Sequence, residues 1–189
     1  VWVSATWAVT SGALPAGVTL DAGTGVLSGT PTVVGTFPFT VTATDTLGCT
    51  GSVAVSLVVS CPVITVNPAS LANGTAGVAY GPISLAQTGG IGTATWAVTA
   101  GALPPGMTLS AAGALSGTPT VTGTFGFTAT ATDANGCTGS RVYALTIECP
   151  VIVLSPASLG NATAGAAYGP VALTQTGGVG AVSFAVTAG

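Results

Sequence analysis

The chain repeats itself every 88 residues, and this period limits the architectures open to it more than any single residue does. Thr30-Pro31 returns as Thr118-Pro119, Asp45 as Asp133, Cys49 as Cys137, Cys61-Pro62 as Cys149-Pro150, and Tyr80-Gly81-Pro82 as Tyr168-Gly169-Pro170, always 88 residues on. Upstream of a one-residue deletion near Gly23 the offset is 89, which aligns Trp7 with Trp96, and Trp96 in turn with Phe184. Self-similarity at a fixed period marks tandem units. The phase divides the chain into the later part of one module (1–60), a complete module (61–148) and the opening of a third (149–189). Both ends fall inside a module, so the array is expected to continue in both directions or to take its missing halves from neighbouring chains.

Within one period, turn signals fall every eight to twelve residues, the spacing of a β-sandwich or barrel. Val63–Asn67 reads as a short strand closed by Pro68, and Tyr80–Thr88 as a second ended by Gly89-Gly90. Thr93–Thr99 alternates, with Ala94, Trp96 and Val98 on one face. Met107–Ser110 and Ala114–Ser116 form a small hairpin. Gly123–Asp133 points Phe125, Phe127, Ala129 and Ala131 inward and threonines outward. The last strand, Ser140–Glu148, buries Tyr143, Leu145 and Ile147, and its copy in the first module is expected to bury Val55, Leu57 and Val59. That makes about seven strands per module, with a Thr/Ser outer face that suits strands without needing charge.

The string Gly101-Ala-Leu-Pro-Pro-Gly-Met-Thr-Leu109, Gly113-Ala-Leu-Ser-Gly-Thr-Pro-Thr120, Gly123-Thr-Phe-Gly-Phe-Thr128 and Ala131-Thr-Asp133 resembles the immunoglobulin-like, cadherin-like tandem repeats of bacterial cell-surface and secreted proteins. The same string runs through Gly12–Leu20, Gly25–Thr32, Gly35–Thr40 and Ala43–Asp45. The resemblance covers the whole chain. It implies an all-β fold of tandem Ig-like sandwiches on an exported protein, and it implies no particular activity.

Composition removes several functions. The chain holds four acids (Asp21, Asp45, Asp133, Glu148), one base (Arg141), and no Lys or His. One arginine cannot neutralise the several phosphates that nucleic-acid binding requires. Mean hydropathy is high at +0.79, but no run approaches the ~18 uninterrupted apolar residues of a spanning helix. The aromatic girdles of an outer-membrane barrel are missing too, so membrane insertion is not expected. Without His or Lys there is no general base of the usual kind and no Ser–His or Cys–His pair, so the chain is not read as an enzyme and no cofactor is implied. Lysine-dependent isopeptide cross-links are excluded on the same ground.

Four cysteines in a Thr-rich, exported chain point to disulfides. Cys49 and Cys61 bracket a strand that would hold them roughly 35 Å apart, far beyond the ~7 Å limit for a bridge. In an Ig-like sandwich the chain start and the loop before the last strand share one pole. That places Cys61 against Cys137, closing a loop worth about 4 kcal/mol in the chain-entropy model. Cys49 and Cys149 then find partners outside this segment, or each other in abutting chains. Zinc is disfavoured by the lack of His and of a Cys-x-x-Cys spacing. Asp45 and Asp133 occupy Thr-Asp-x-x-Gly turns, where cadherin-like relatives place a calcium ligand. Calcium needs six to eight oxygens, and the junction at Cys61–Val66 carries no acid, so a turn aspartate bonding its own backbone is the preferred reading. Asn73-Gly-Thr75 and Asn161-Ala-Thr163 match the glycosylation sequon, and exposed threonines offer O-glycan positions.

The joint between modules contains no flexible Gly/Ser linker, which predicts a semi-rigid rod. The expected role is a structural repeat of an extracellular bacterial fibre or of a surface-adhesin stalk, with copies of the same chain as partners, end to end or side by side. Near-zero charge offers little protection against such association. The alternative is a carbohydrate- or ligand-binding accessory module of a secreted protein. That reading needs exposed aromatics, whereas Trp7 and Trp96 sit at inward strand positions and Trp2 is also expected inside.

Overall fold

The computed structural model describes residues 5–187, and the expectation for Trp2 lies outside them. The described residues form strands and turns, and none of them forms a helix long and apolar enough to cross a membrane. Contacts divide the chain into two compact units. One comprises Val1–Ile64, Gly89–Ala94 and Thr132–Thr138, the other Thr65–Thr88, Thr95–Ala131 and Gly139–Gly189.

In the first unit, β1 (Ala5–Gly12), β4 (Gly35–Asp45) and β5 (Thr50–Val59) make an antiparallel sheet, and β2 (Val18–Leu20) with β3 (Leu27–Gly29) makes a hairpin. The long β4–β5 ladder runs unbroken from Gly35↔Val59 to Thr44↔Thr50. Its register follows the period-2 pattern of β4, which sends Phe39 and Val41 inward. The outward threonines pair across strands. The Thr10 and Thr42 hydroxyls lie 2.8 Å apart, as do those of Thr42 and Ser52. Such hydroxyl pairs support the sheet with no charge.

The second unit contains β6 (Thr65–Asn67), β7 (Gly74–Thr75), β8 (Tyr80–Ser84), β9 (Ala86–Thr88), β10 (Thr95–Gly101), β11 (Met107–Leu109), β12 (Ala114–Gly117), β13 (Gly123–Thr132), most of β14 (Thr138–Glu148), β15 (Val153–Ser155) and β16 (Thr174–Thr176). Its main sheet is ordered β10-β13-β14-β7, with β11-β12-β8, β6-β9 and β15-β16 as smaller sheets. The core holds Val66, Leu115, Phe127, Ala129, Ala131, Tyr143, Leu145 and Ile147, all buried. Phe127 and Tyr143 rings meet at 5.5 Å. Tyr143 Oη donates to Pro68 O at 2.6 Å and Tyr80 Oη to Ala72 O at 2.8 Å. Burial pushes both phenols up, with Arg141 opposing the shift at Tyr143, which keeps each a proton donor.

Three features depart from the strand pattern read in the sequence. The expected strand Tyr80–Thr88 is broken at Leu85, so that β8 joins β12 and β9 joins β6. Leu85 turns into the core at 4% exposure, and its amide donates to Gly113 O at 2.8 Å. The strand expected from Val63 begins at Thr65, with Val63 turned out to solvent. The two-residue β7, parallel to β14, has no periodic signal to announce it.

One repeated device is a glycine beneath a tryptophan. At Gly113 (φ 89°) a Cβ would fall 2.8 Å from Trp96 Nε1, and at Gly25 (φ 71°) 2.7 Å from Trp7 Cε2. Only glycine combines that φ with a ring so close to its backbone.

Candidate interaction surface

The residues singled out in the sequence separate into those the structure brings together and those it leaves open. Cys61 and Cys137 are joined by a disulfide with Cα atoms 5.6 Å apart. Cys49 and Cys149 are free and exposed. Asn73 Nδ2 donates to Glu148 Oε1 at 2.7 Å, so a glycan there would cost that bond, while Asn161 is exposed. Trp96 is buried and Trp7 half-buried on its glycine.

The two turn aspartates bind backbone. Asp45 Oδ1 accepts the amides of Leu47 (2.9 Å) and Cys49 (2.8 Å). Asp133 Oδ1 accepts those of Asn135 and Cys137, and its Oδ2 that of Ile91, each at 2.9 Å. Among the described residues no three His, Cys, Asp or Glu side chains cluster as a metal site. The Ile91 amide foremost, then those of Cys137 and Asn135, hold Asp133 below the usual carboxylate range, against an opposing effect of burial. A carboxyl whose folded pKa is depressed adds stability above its unfolded pKa of about 4, and that stability is lost as pH falls through the folded value. Melting temperature is therefore expected to be flat from pH 5 to 8, where no His titrates, and to fall below about pH 4. Asp133→Asn is expected to lower the plateau and flatten the acid limb. A variant whose acid limb parallels wild type would show that Asp133 is not its source.

Arg141, the chain's sole base, spends its guanidinium on the turn at Pro68. Its Nε donates to Val66 O at 2.6 Å and its Nη1 to Ala69 O at 3.4 Å. No sequence signal marked this role or that of Glu148, because each is a single polar residue whose partner lies about 75 positions away.

An open apolar surface lies in the first repeat. In the middle repeat, β8 covers the edge of β12 and β7 the edge of β14. In the first repeat the matching edges, β3 and the far side of β5, have no strand beside them among the described residues. Val18, Leu27, Gly29, Pro31, Leu57 and Val59 instead line an open cleft of about 490 Å³. Leu27 is 42% exposed where Leu115 is fully buried, and Val55 is 39% exposed where Tyr143 is 3%. The expectation that Val55, Leu57 and Val59 are buried is thus corrected: Val55 is exposed and the other two half-buried, because no strand among the described residues covers that face.

The third repeat shows the converse. Residues 150–187 carry the apolar positions that cover those edges in the middle repeat, and here they face solvent. Tyr168 is 47% and Leu173 54% exposed, against 8% and 4% for Tyr80 and Leu85. Gln175 Oε1 is buried with no hydrogen-bond partner among the described residues, an arrangement that costs free energy. Chemically, these surfaces offer apolar side chains and, at β3 and β5, strand edges with no strand beside them among the described residues.

Among solved structures the chain is similar to protocadherin gamma B2 extracellular cadherin domains 3–6, at 11% identity over 77% of this chain and 43% of that one, TM-score 0.41. It is also similar to Drosophila N-cadherin EC1–4 (12% identity, 78% and 41% covered, TM-score 0.35) and human CDH23 EC21–23 (14%, 92% and 68%, TM-score 0.36). The chain spans less than half the length of the first of these. No curated protein matches it. A family model described as "Putative Ig domain" matches residues 2–60 and again 62–148, so the chain belongs to the Putative Ig domain family.

Proposed function

We propose that this chain is a structural repeat of an extracellular bacterial fibre or surface-adhesin stalk. Its Ig-like modules, 1–60, 61–148 and 149–189, follow one another semi-rigidly, and copies associate with one another. The observation that carries the reading is the tandem 88-residue repeat of Ig-like modules, joined at Cys61-Pro62 and Cys149-Pro150 without a flexible linker. The disulfide accords with an oxidising, extracellular compartment. Charged residues make up only 3% of the chain, with a formal net charge of −3, so little charge is present to repel a second copy.

Light scattering coupled to size-exclusion chromatography, with negative-stain microscopy of the same fractions, tests this. The expected result is a mass that rises with concentration, with filaments in the largest fractions. Isolated particles at every concentration would favour a solitary stalk, and monomers that bind a glycan array through their tryptophans would favour the accessory-module reading.

A further inference from the structure

We propose that the middle repeat bears tension through its disulfide. Pulling force passes from Cys61 across the bridge to Cys137 and leaves along β14, so residues 62–136 stay outside its path. This inference rests on the structural-repeat reading above and concerns the single chain, whether or not copies associate.

Cys61 stands between β5, the last strand of the first repeat, and β6, the first strand of the middle one. Cys137 stands directly ahead of β14. The bridge therefore joins the point where the chain enters the repeat to the strand by which it leaves. Its sequence separation is 76, within a period of 88. Without the bridge, tension would enter at β6, which pairs with β9, and leave at β14, which lies between β13 and β7. Those ladders would have to slip or peel before the chain could lengthen. With the bridge, tension enters and leaves at the two ends of one strand. β14 has 11 residues and is already extended over about 37 Å. The ladder bonds to its neighbours lie across the pull rather than along it.

The seat of the bridge is braced. Asp133 Oδ1 accepts the Cys137 amide and its Oδ2 the Ile91 amide, each at 2.9 Å, and Ala134 N donates to Ile91 O at 3.0 Å. Asn135 Nδ2 donates to Thr32 O at 2.8 Å, which ties the same turn to the first repeat. Thr32, Cys61, Ile91 and the 132–138 turn all belong to one compact unit. Force arriving through β5 thus meets a Cys137 that is already held in place. Cys137 is 1% exposed, whereas Cys61 is exposed, so the open approach for an attacking thiol is from the Cys61 side.

The bridge sets how far the repeat can lengthen. From Cys137 to Cys149 the chain stretches to about 43 Å at most, little beyond the span of β14 itself. Opening the bond adds the 76 residues it spans, about 270 Å at full extension. A dithiol opens it by exchange. One thiolate attacks Cys61 Sγ and expels the Cys137 thiolate, and the second thiol then displaces Cys61 and closes a cyclic disulfide. Two cysteine thiols form with the two protons and two electrons that the dithiol gives up. Because the bond is under load, tension lowers the barrier to its cleavage.

Force-clamp spectroscopy on the 189-residue chain, held between reference modules, tests this load path. Without reductant the length is expected to settle once the residues outside the bridge have extended. Added dithiothreitol should then give one further step of about 270 Å. The rate of that step is expected to rise about tenfold as the clamp goes from about 100 to about 400 pN, for a bond that lengthens by about 0.3 Å on the way to cleavage. A Cys61→Ser/Cys137→Ser chain should release the same length with no reductant, and an unfolded variant would release it already at the lowest force. A step of about 270 Å in the unreduced wild-type chain, a dithiothreitol step whose rate ignores force, or no dithiothreitol step at all overturns the proposal. Each of those outcomes leaves self-association to the light-scattering test, whereas monomers there leave the load path standing.

Discussion

Reduction of the Cys61–Cys137 disulfide is expected to lower the melting temperature of the middle repeat by about 15–30 °C, the largest effect of any single covalent change in the chain. The bridge spans 76 residues, and cross-linking a loop of that length removes about 4 kcal/mol of chain entropy from the unfolded state. Small domains hold only about 5–15 kcal/mol in total, so this one constraint accounts for a large fraction of the margin. Cys137 is also buried, and its replacement adds a small cavity to the entropic loss. Dithiothreitol on the wild-type chain and a Cys61→Ala/Cys137→Ala variant should therefore agree in sign, with the variant slightly worse. Calorimetry with and without reductant gives the measurement. A shift of only a degree or two would mean that the unfolded chain is already as compact as the bridge would make it.

How much of this could be read from the sequence depends on whether the signal is periodic. The strands around Phe39, Val41, Phe127, Ala129, Tyr143 and Leu145 were legible because alternation over eight or more residues has one physical reading, a sheet with one face covered. The cysteine pairing was legible once strand span removed the neighbour Cys49 and the sandwich placed Cys61 and Cys137 at one pole. The break at Leu85 was not, because an apolar residue in an apolar run carries no sign that its amide will bond Gly113 O instead of a ladder partner. Nor were the contacts of Arg141 and Glu148, since a lone charge is silent about a carbonyl or amide 75 residues off. The exposure of Val55 and Leu27 was misjudged for a different reason. Alternation shows which face a side chain occupies, but whether that face is covered depends on strands elsewhere, here those equivalent to β7 and β8.

That distinction yields a paired result. Leu145→Ala is expected to destabilise the middle repeat by about 3 kcal/mol, whereas Leu57→Ala, the same change at the repeat-equivalent position, should cost about 1 kcal/mol or less in the dilute chain. Leu145, on β14 between its neighbours β13 and β7, is completely buried. Its removal forfeits both the transfer energy of the lost carbons and the contacts around the cavity. Leu57 has the same neighbours within its sheet but lines the open cleft, so water already reaches it and fills the space it leaves. Hydrogen exchange read by mass spectrometry on β13–β14 and β4–β5 peptides separates the two repeats within one chain. Amides of β13–β14 should exchange roughly a hundredfold faster in Leu145→Ala, and those of β4–β5 only a few-fold faster in Leu57→Ala. Equal effects would show that the face around Leu57 is already covered in solution.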